Sequence, residues 1–275
     1  MFNPLQIILG VLLAALVAYA AYRVRSLNRS GALAAFLLGV VVFGFGGLPW
    51  AVVLLTFFIT SSGLSRLLKH RKKEFELNFA KGARRDAGQV AANGGLAGLA
   101  ALASIFWPQS VLPWVLFSAA FAAANADTWA TELGVFSRRW PRSIRTWQCV
   151  SPGTSGGVSL AGSLAAACGA ALIAFTTWLV WPVAGTSNGD RWLFALIIAL
   201  AGLLGSFVDS LLGATVQGIY LCPVCHKETE KHPFHTCGNE TILIRGWKWM
   251  NNDVVNLLCT ASGALIAWLL TILVY

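Results

Sequence analysis

Charged side chains are scarce in this chain. Asp, Glu, Lys and Arg make up 11% of its 275 residues, where an ordinary soluble domain carries about 25%. With 57% hydrophobic residues, that shortage excludes a soluble globular protein and leaves a polytopic membrane protein. Acids are the scarcer sign, 11 against 20 Lys and Arg. The resulting net charge of +9 does not imply nucleic acid, because the bases sit beside the ends of apolar runs, where anionic lipid headgroups attract them. No Lys or Arg precedes Arg23 and no small-residue cleavage site is evident, so the first apolar run reads as a permanent helix and not as a signal peptide. Six cysteines, two of them (Cys168 and Cys259) inside apolar runs, do not make a disulfide framework. No His falls at membrane depth, and the G-K-[S/T] ending of a Walker A loop is missing.

What is present is a series of about eight apolar segments: residues 5–22, 31–46, 50–66, 87–107, 111–136, 157–181, 192–217 and 253–274. A spanning helix needs about 20 apolar residues, and most segments meet that; 31–46 is short and is expected to tilt or to span only in part. The expected fold is all-α, a membrane helix bundle filling residues 1–275 as one domain, with a charged linker at 66–86 and a longer loop at 218–250. Of the 20 Lys and Arg, 19 fall in alternate loops, Arg191 being the exception. The positive-inside rule then puts those loops in the cytoplasm and both termini outside, the expected compartment being a bacterial cytoplasmic membrane. The first three segments carry no acids and read as scaffold.

Asp86, Asp127, Glu132, Asp209 and Asp253 map to the cytoplasmic ends of their segments. Acids at membrane depth are costly and usually mark a pathway or a site, so the pattern points to one polyanion-handling site facing the cytoplasm. Asp127 and Glu132 suit Mg²⁺, a hard cation taking oxygen ligands. Five residues apart on a regular helix, they diverge by about 140°; they do not share an ion unless the helix unwinds, and one of them can instead position a basic or amide group. Asp86, Gln89 and Asn93 share a helix face below Lys81, Arg84 and Arg85, an arrangement fit for a phosphate or a base, or equally for a hydrogen-bonded helix seam. The turn Gly153, Thr154, Ser155, Gly156, Gly157 before a helix can aim N–H groups at a phosphate. Asp209 lies on a stripe with Gly205, Gly213 and Gln217, whose glycines read as a packing face. Asn251, Asn252 and Asp253 open the last helix and Asn256 follows; one of them is expected to cap, and the rest exceed what capping needs.

Cys222, Cys225 and Cys237, with a His, form a pattern able to close a tetrahedral Zn²⁺ site; His235 is the first choice and His232 the second. The competing reading is a set of free thiols in a reducing loop.

Taken in order, Gln89 with Asn93-Gly94, Asp127-Thr-Trp-Ala-Thr-Glu132-Leu-Gly, Pro152-Gly-Thr-Ser-Gly-Gly157, Asp209-Ser-Leu-Leu-Gly-Ala-Thr215 and Asn252-Asp253 with Asn256 resemble the integral-membrane family that includes plant phytyl-phosphate kinase and transmembrane protein 19. That family in turn resembles, more distantly, dolichol kinases and CDP-diacylglycerol synthases. The resemblance covers most of the chain from about residue 30. It implies CTP- and Mg²⁺-dependent phosphorylation of an isoprenyl monophosphate of the phytyl or geranylgeranyl type. In that reading Asp127, Glu132, Asp209 and Asp253 surround the Mg-nucleotide. Arg84, Arg85, the Gly-rich turn and the amides hold phosphates, and the isoprenoid tail lies among membrane lipids. A lipid-alcohol kinase, a cytidylyltransferase and a transporter of an anionic solute are the alternatives. Transport is disfavoured because the outer halves of the segments look apolar.

Overall fold

In the computed structural model, residues 4–72 and 84–274 are described; Lys81, expected at the site mouth, lies outside them. Eight α-helices follow one another: α1 (Pro4–Arg23), α2 (Arg29–Val41), α3 (Leu48–Lys72), α4 (Ala87–Phe106), α5 (Leu112–Gly134), α6 (Leu160–Leu179), α7 (Asn188–Thr215) and α8 (Asn252–Val274). A π-helical turn, Val42–Gly46, prolongs α2. The pair makes an 18-residue apolar stretch, Arg29–Gly46, about 27 Å at 1.5 Å per residue, so the short second segment reaches most of the way across a bilayer core.

Among the described residues, seven of the eight helices are long and apolar enough to cross a membrane, and α5 is the exception. Its interior explains why. Nearly every residue from 113 to 126 is buried, and the helix touches α3, α4, α6, α7 and α8. A helix surrounded by protein needs no lipid-facing Leu surface, so it tolerates Asn125 and Asp127 and carries many alanines. Those alanines let neighbours approach closely, as small residues do between membrane helices. A Cβ on Gly205 would come within 2.9 Å of the Ala123 Cβ, and one on Gly263 within 2.7 Å of the same atom. The small-residue stripe on α7 is thus partly a packing face, as its spacing indicates.

At the N-terminal end of α5 an aromatic cluster fills the interior. Trp114, Phe117 and Phe121 are fully buried, Trp50 lies 4.9 Å from Trp114 and 4.7 Å from Phe117, and Phe57 lies 5.1 Å from Phe121, centroid to centroid. Polar chemistry is left to the opposite end.

Two small sheets depart from the purely helical expectation. Strands β1 (Arg142–Ser143) and β2 (Gly157–Val158) pair antiparallel. Strands β3 (Ile219–Cys222), β4 (Lys227–Thr229) and β5 (Ile242–Arg245) form a sheet in the order β4-β3-β5. Two to four residues are too few to show an alternating pattern in sequence. Because Gly157 and Val158 belong to β2, α6 begins at Leu160, where Ser159 accepts from the Gly162 N–H at 3.1 Å. The last loop is docked on the end of α7: Arg245 donates to the Gly213 carbonyl at 3.1 Å, a cation at a helix C-terminus.

Candidate functional site

At the C-terminal ends of α3, α5 and α7 and the N-terminal ends of α4, α6 and α8 the helices open on a cavity of about 550 Å³. Its walls carry most of the polar residues singled out in sequence: Arg85, Gln89 and Asn93 from the start of α4, Asp127 and Glu132 from α5, Gly153 to Gly157 from the turn, Asp209 from α7, and Asn252 and Asn256 from α8. The structure therefore gathers residues from five distant stretches on one face of the bundle.

Asp127 and Asp209 face each other within hydrogen-bonding reach. Glu230, on the strand–loop segment after β4, adds a third carboxylate whose charge acts on both. Its Oε1 accepts from Gln217 Nε2 at 3.0 Å. Gln217 is buried, and its Oε1 in turn accepts from Ser155 Oγ at 2.5 Å, so one amide links the Gly-rich turn to Glu230. That turn is held by Thr154 N–H to the Ser151 carbonyl (3.1 Å) and Gly157 N–H to the Thr154 carbonyl (3.0 Å). Gly156 has φ +80°, and a Cβ there would collide with the Ala214 backbone. Only glycine meets both demands, and the result is a turn seated directly on α7.

Glu132 belongs to another part of the wall. As the 140° divergence requires, α5 stays regular and Glu132 does not join Asp127. It accepts from Ser65 Oγ at 2.9 Å and is the charge partner of Arg85. Arg85 is pinned by its backbone: its N–H bonds the Ser26 carbonyl and its carbonyl accepts from Asn28 N–H, both at 3.0 Å. Its guanidinium lies 5.5 Å from the Phe57 ring centroid. Burial lowers it to about 10, with Glu132 opposing, so it is cationic at neutral pH. Arg84, its neighbour, is exposed and absent from the wall.

Asp86 acts as a cap. It accepts from Gln89 N–H at 3.0 Å while Gln89 Oε1 accepts from Asp86 N–H at 3.2 Å, a capping box. Asn251 caps α8, accepting from Asp253 N–H (3.0 Å) and Val254 N–H (3.1 Å), which leaves Asn252 and Asn256 for the cavity. Asp253 is not on the wall; its carboxylate lies against Gly88 at the start of α4, near Asp86. Asn125, fully buried, accepts from Thr60 Oγ1 (3.2 Å) and donates to the Gly169 carbonyl (2.9 Å), a bond between helices. Glu230, Lys231 and Ser65 also line the cavity without having been singled out in the sequence. Ser65 sits one residue from the end of its apolar run, and Glu230 depends on how the cysteine loop folds back.

A second, apolar crevice of about 50 Å³ lies between α1, α2, α3 and α4. Ala14, Ala18, Leu38 and Phe58 are on its walls, and it shares Arg85, Gln89 and Asn93 with the polar cavity. Those three residues stand at the junction of a polar and an apolar space.

In the 218–250 loop, the ligand atoms of Cys222, Cys225, His235 and Cys237 all lie within 4.8 Å of one another. His232 is elsewhere, stacked on Tyr220 with 4.5 Å between ring centroids.

Comparison with known proteins agrees with this architecture. No solved structure matches the chain. It is 34% identical to Protein PGR of Arabidopsis thaliana over 82% of its own length and 84% of that protein's. It is 29% identical to an uncharacterised membrane protein of Methanocaldococcus jannaschii over 78% and 84%, and 24% identical to the chloroplastic Protein VTE6 of Arabidopsis thaliana over 90% and 66%. The family described as integral membrane protein DUF92 matches residues 12–264, nearly the whole helical bundle with its cavity, and the chain is a member of that family.

Proposed function

We propose that the protein is a membrane-embedded isoprenyl-phosphate kinase, transferring the terminal phosphoryl group of CTP to an isoprenyl monophosphate. The observation that carries this reading is the opposed pair Asp127 and Asp209 in a cavity that also holds Arg85 and the Gly-rich turn. The family resemblance to plant phytyl-phosphate kinase supports the same acceptor class.

Two carboxylates side by side in a confined space repel unless a positive charge lies between them, and Asp209 Oδ2 is buried without a hydrogen bond among the described residues. An all-oxygen donor set of this kind suits Mg²⁺. Asp127, Asp209 and Glu230 would hold it; of the four acids expected around the metal, Glu132 is engaged with Arg85 and Asp253 stands off the wall. When bound, Mg²⁺ neutralises charge on the transferring phosphoryl group. The remaining tasks fall to the chain. The 153–157 turn, fixed on α7, receives triphosphate oxygens. Arg85 meets the acceptor phosphate where the polar cavity joins the apolar crevice, and Gln89 and Asn93 offer amides beside it. The crevice takes the first part of the isoprenoid tail, and the rest runs among lipids. An acceptor that is already a phosphate needs no strong base, in keeping with a cavity wall without histidine among the described residues.

Purified protein in lipid vesicles, given Mg-CTP and a panel of lipid alcohols and monophosphates, tests the reading. CDP formed with an isoprenyl diphosphate supports it; CDP formed only with an alcohol moves the acceptor; pyrophosphate makes the protein a cytidylyltransferase. No turnover of any nucleotide rejects the enzyme reading. Transport is opposed by the aromatic cluster that fills the far end of the bundle.

The described bases of the alternate loops flank the helix ends that open on the cavity, and we place that face in the cytoplasm by the positive-inside rule. Ala184, between α6 and α7, is exposed on the other side. In intact bacterial cells an impermeant maleimide should label the Ala184→Cys variant and leave the parent chain, with its exposed Cys149, unlabelled until the cells are opened. Labelling of the parent in intact cells would reverse the orientation.

A further inference from the structure

We propose that Cys222, Cys225, His235 and Cys237 bind one Zn²⁺, and that this ion ties down the loop that carries Glu230 into the polar cavity. The second half rests on the site described above; the first stands without it.

The donor set is three thiols and one imidazole, the chemistry of a closed structural zinc site. The spacing fits as well. Zn–S bonds of about 2.3 Å in a tetrahedron put sulfurs about 3.8 Å apart; Cys222 Sγ and Cys237 Sγ are 3.5 Å apart, and His235 Nδ1 is 3.2 Å from Cys237 Sγ. The backbone is shaped around both ligand pairs. Cys225 N–H points at Cys222 Sγ at 3.4 Å, and the first turn closes with His226 N–H on the Cys222 carbonyl at 2.9 Å. The second closes with Gly238 N–H on the His235 carbonyl, also at 2.9 Å. The residue after each pair, His226 or Gly238, has positive φ (52° and 84°). Around the ligands, Asn239 Nδ2 donates to Cys237 Sγ at 3.3 Å, and Thr236 Oγ1 lies 3.3 Å from His235 Nε2. These are the outer contacts that orient metal ligands.

The loop needs such a tie. Its strands are three or four residues long, and Val224, Phe234, Ile242 and Ile244 are exposed, so it has little core of its own. Small units of this kind fold on metal. A disulfide between Cys222 and Cys237 would leave the convergence of Cys225 and His235 unexplained. The functional consequence follows from chain order. Glu230 lies between the two ligand pairs, directly after β4, whose register on β3 is Tyr220 with Thr229 and Cys222 with Lys227. Clamping the two pairs together holds Glu230 against Gln217.

The test begins with metal analysis of full-length protein purified in detergent, reduced and without chelator. About one zinc per chain is expected, lost in Cys225→Ser and Cys237→Ser and kept in Cys225→His, which restores a ligand. Hydrogen exchange on parent protein before and after chelation reads the second half. Amides of 226–245 should exchange at least tenfold faster after zinc removal while helix α5 is unchanged. Glu230→Gln should keep its zinc and lose phosphoryl transfer. Zinc absent from the parent, iron in its place, or zinc retained in both serine variants overturns the site. Unchanged exchange of the loop after zinc removal overturns its positioning role. Neither outcome depends on turnover, so failure of the kinase reading is separable.

Discussion

Replacing Asp209 by Asn should lower phosphoryl transfer by about 100- to 1000-fold, the scale on which removing one group that stabilises transition-state charge acts. The protein should remain inserted and folded. Asn has nearly the same shape as Asp, and the change removes a negative charge facing Asp127, so thermal stability should stay level or rise. Asp127→Asn should behave alike, and the double variant should be little worse than either single one, because both act through the same cation. A fold-directed residue on the same helix gives the contrast. Asn125→Ala removes the side-chain donor to the Gly169 carbonyl, while Thr60 Oγ1 keeps its 2.8 Å bond to the Thr56 carbonyl, and should lower stability by about 1–3 kcal/mol, while reducing transfer only as far as folded protein is lost. Melting curves alongside single-turnover rates with Mg-CTP separate the two effects. If both Asp→Asn variants turn over at near-parental rates, the assignment of the acid pair is wrong.

The acid pair was readable in the sequence because an Asp at membrane depth has few structural uses. The same argument does not set apart Asp86 and Asp253, which stand off the cavity wall. Each stands at a helix start; Asp86 is used there as a cap, and the choice of Asn251 over its neighbours as the cap of α8 rests on local backbone that periodicity does not report. Arg84 and Arg85 look equivalent in sequence. What turns one inward is the backbone bridging of Arg85 to Ser26 and Asn28, a contact between segments far apart in the chain. Glu230 was out of reach for a related reason: its place at the cavity follows from the cysteine loop doubling back on α7, and nothing near residue 230 signals that. The central position of α5 left one trace, a run too poor in hydropathy to suit a lipid-facing span. The small sheets left none, their strands being shorter than any window that reveals alternation.

Arg85→Gln should affect both stability and chemistry, and the two can be taken apart. Arg85 faces Glu132 in a half-buried part of the cavity wall. Taking away one member of a buried pair leaves the other charge uncompensated, at a cost of about 3–5 kcal/mol when fully buried; water in the cavity should hold the loss below about 3 kcal/mol here. Glu132→Gln should also destabilise, by less, because Arg85 keeps the Phe57 ring and its backbone anchors. The double variant Arg85→Gln with Glu132→Gln has no isolated charge, and its melting temperature should return most of the way to the parent's. Transfer should not return. If Arg85 contacts the acceptor phosphate at the mouth of the apolar crevice, its absence raises KM for the isoprenyl phosphate and lowers kcat, while KM for CTP changes less. Arg85→Lys should recover charge but not the forked geometry by which a guanidinium holds phosphate oxygens, and should stay well below the parent in transfer despite near-parental stability. Full recovery of activity in the double variant would reduce Arg85 to a counter-charge for Glu132 and remove it from the chemistry.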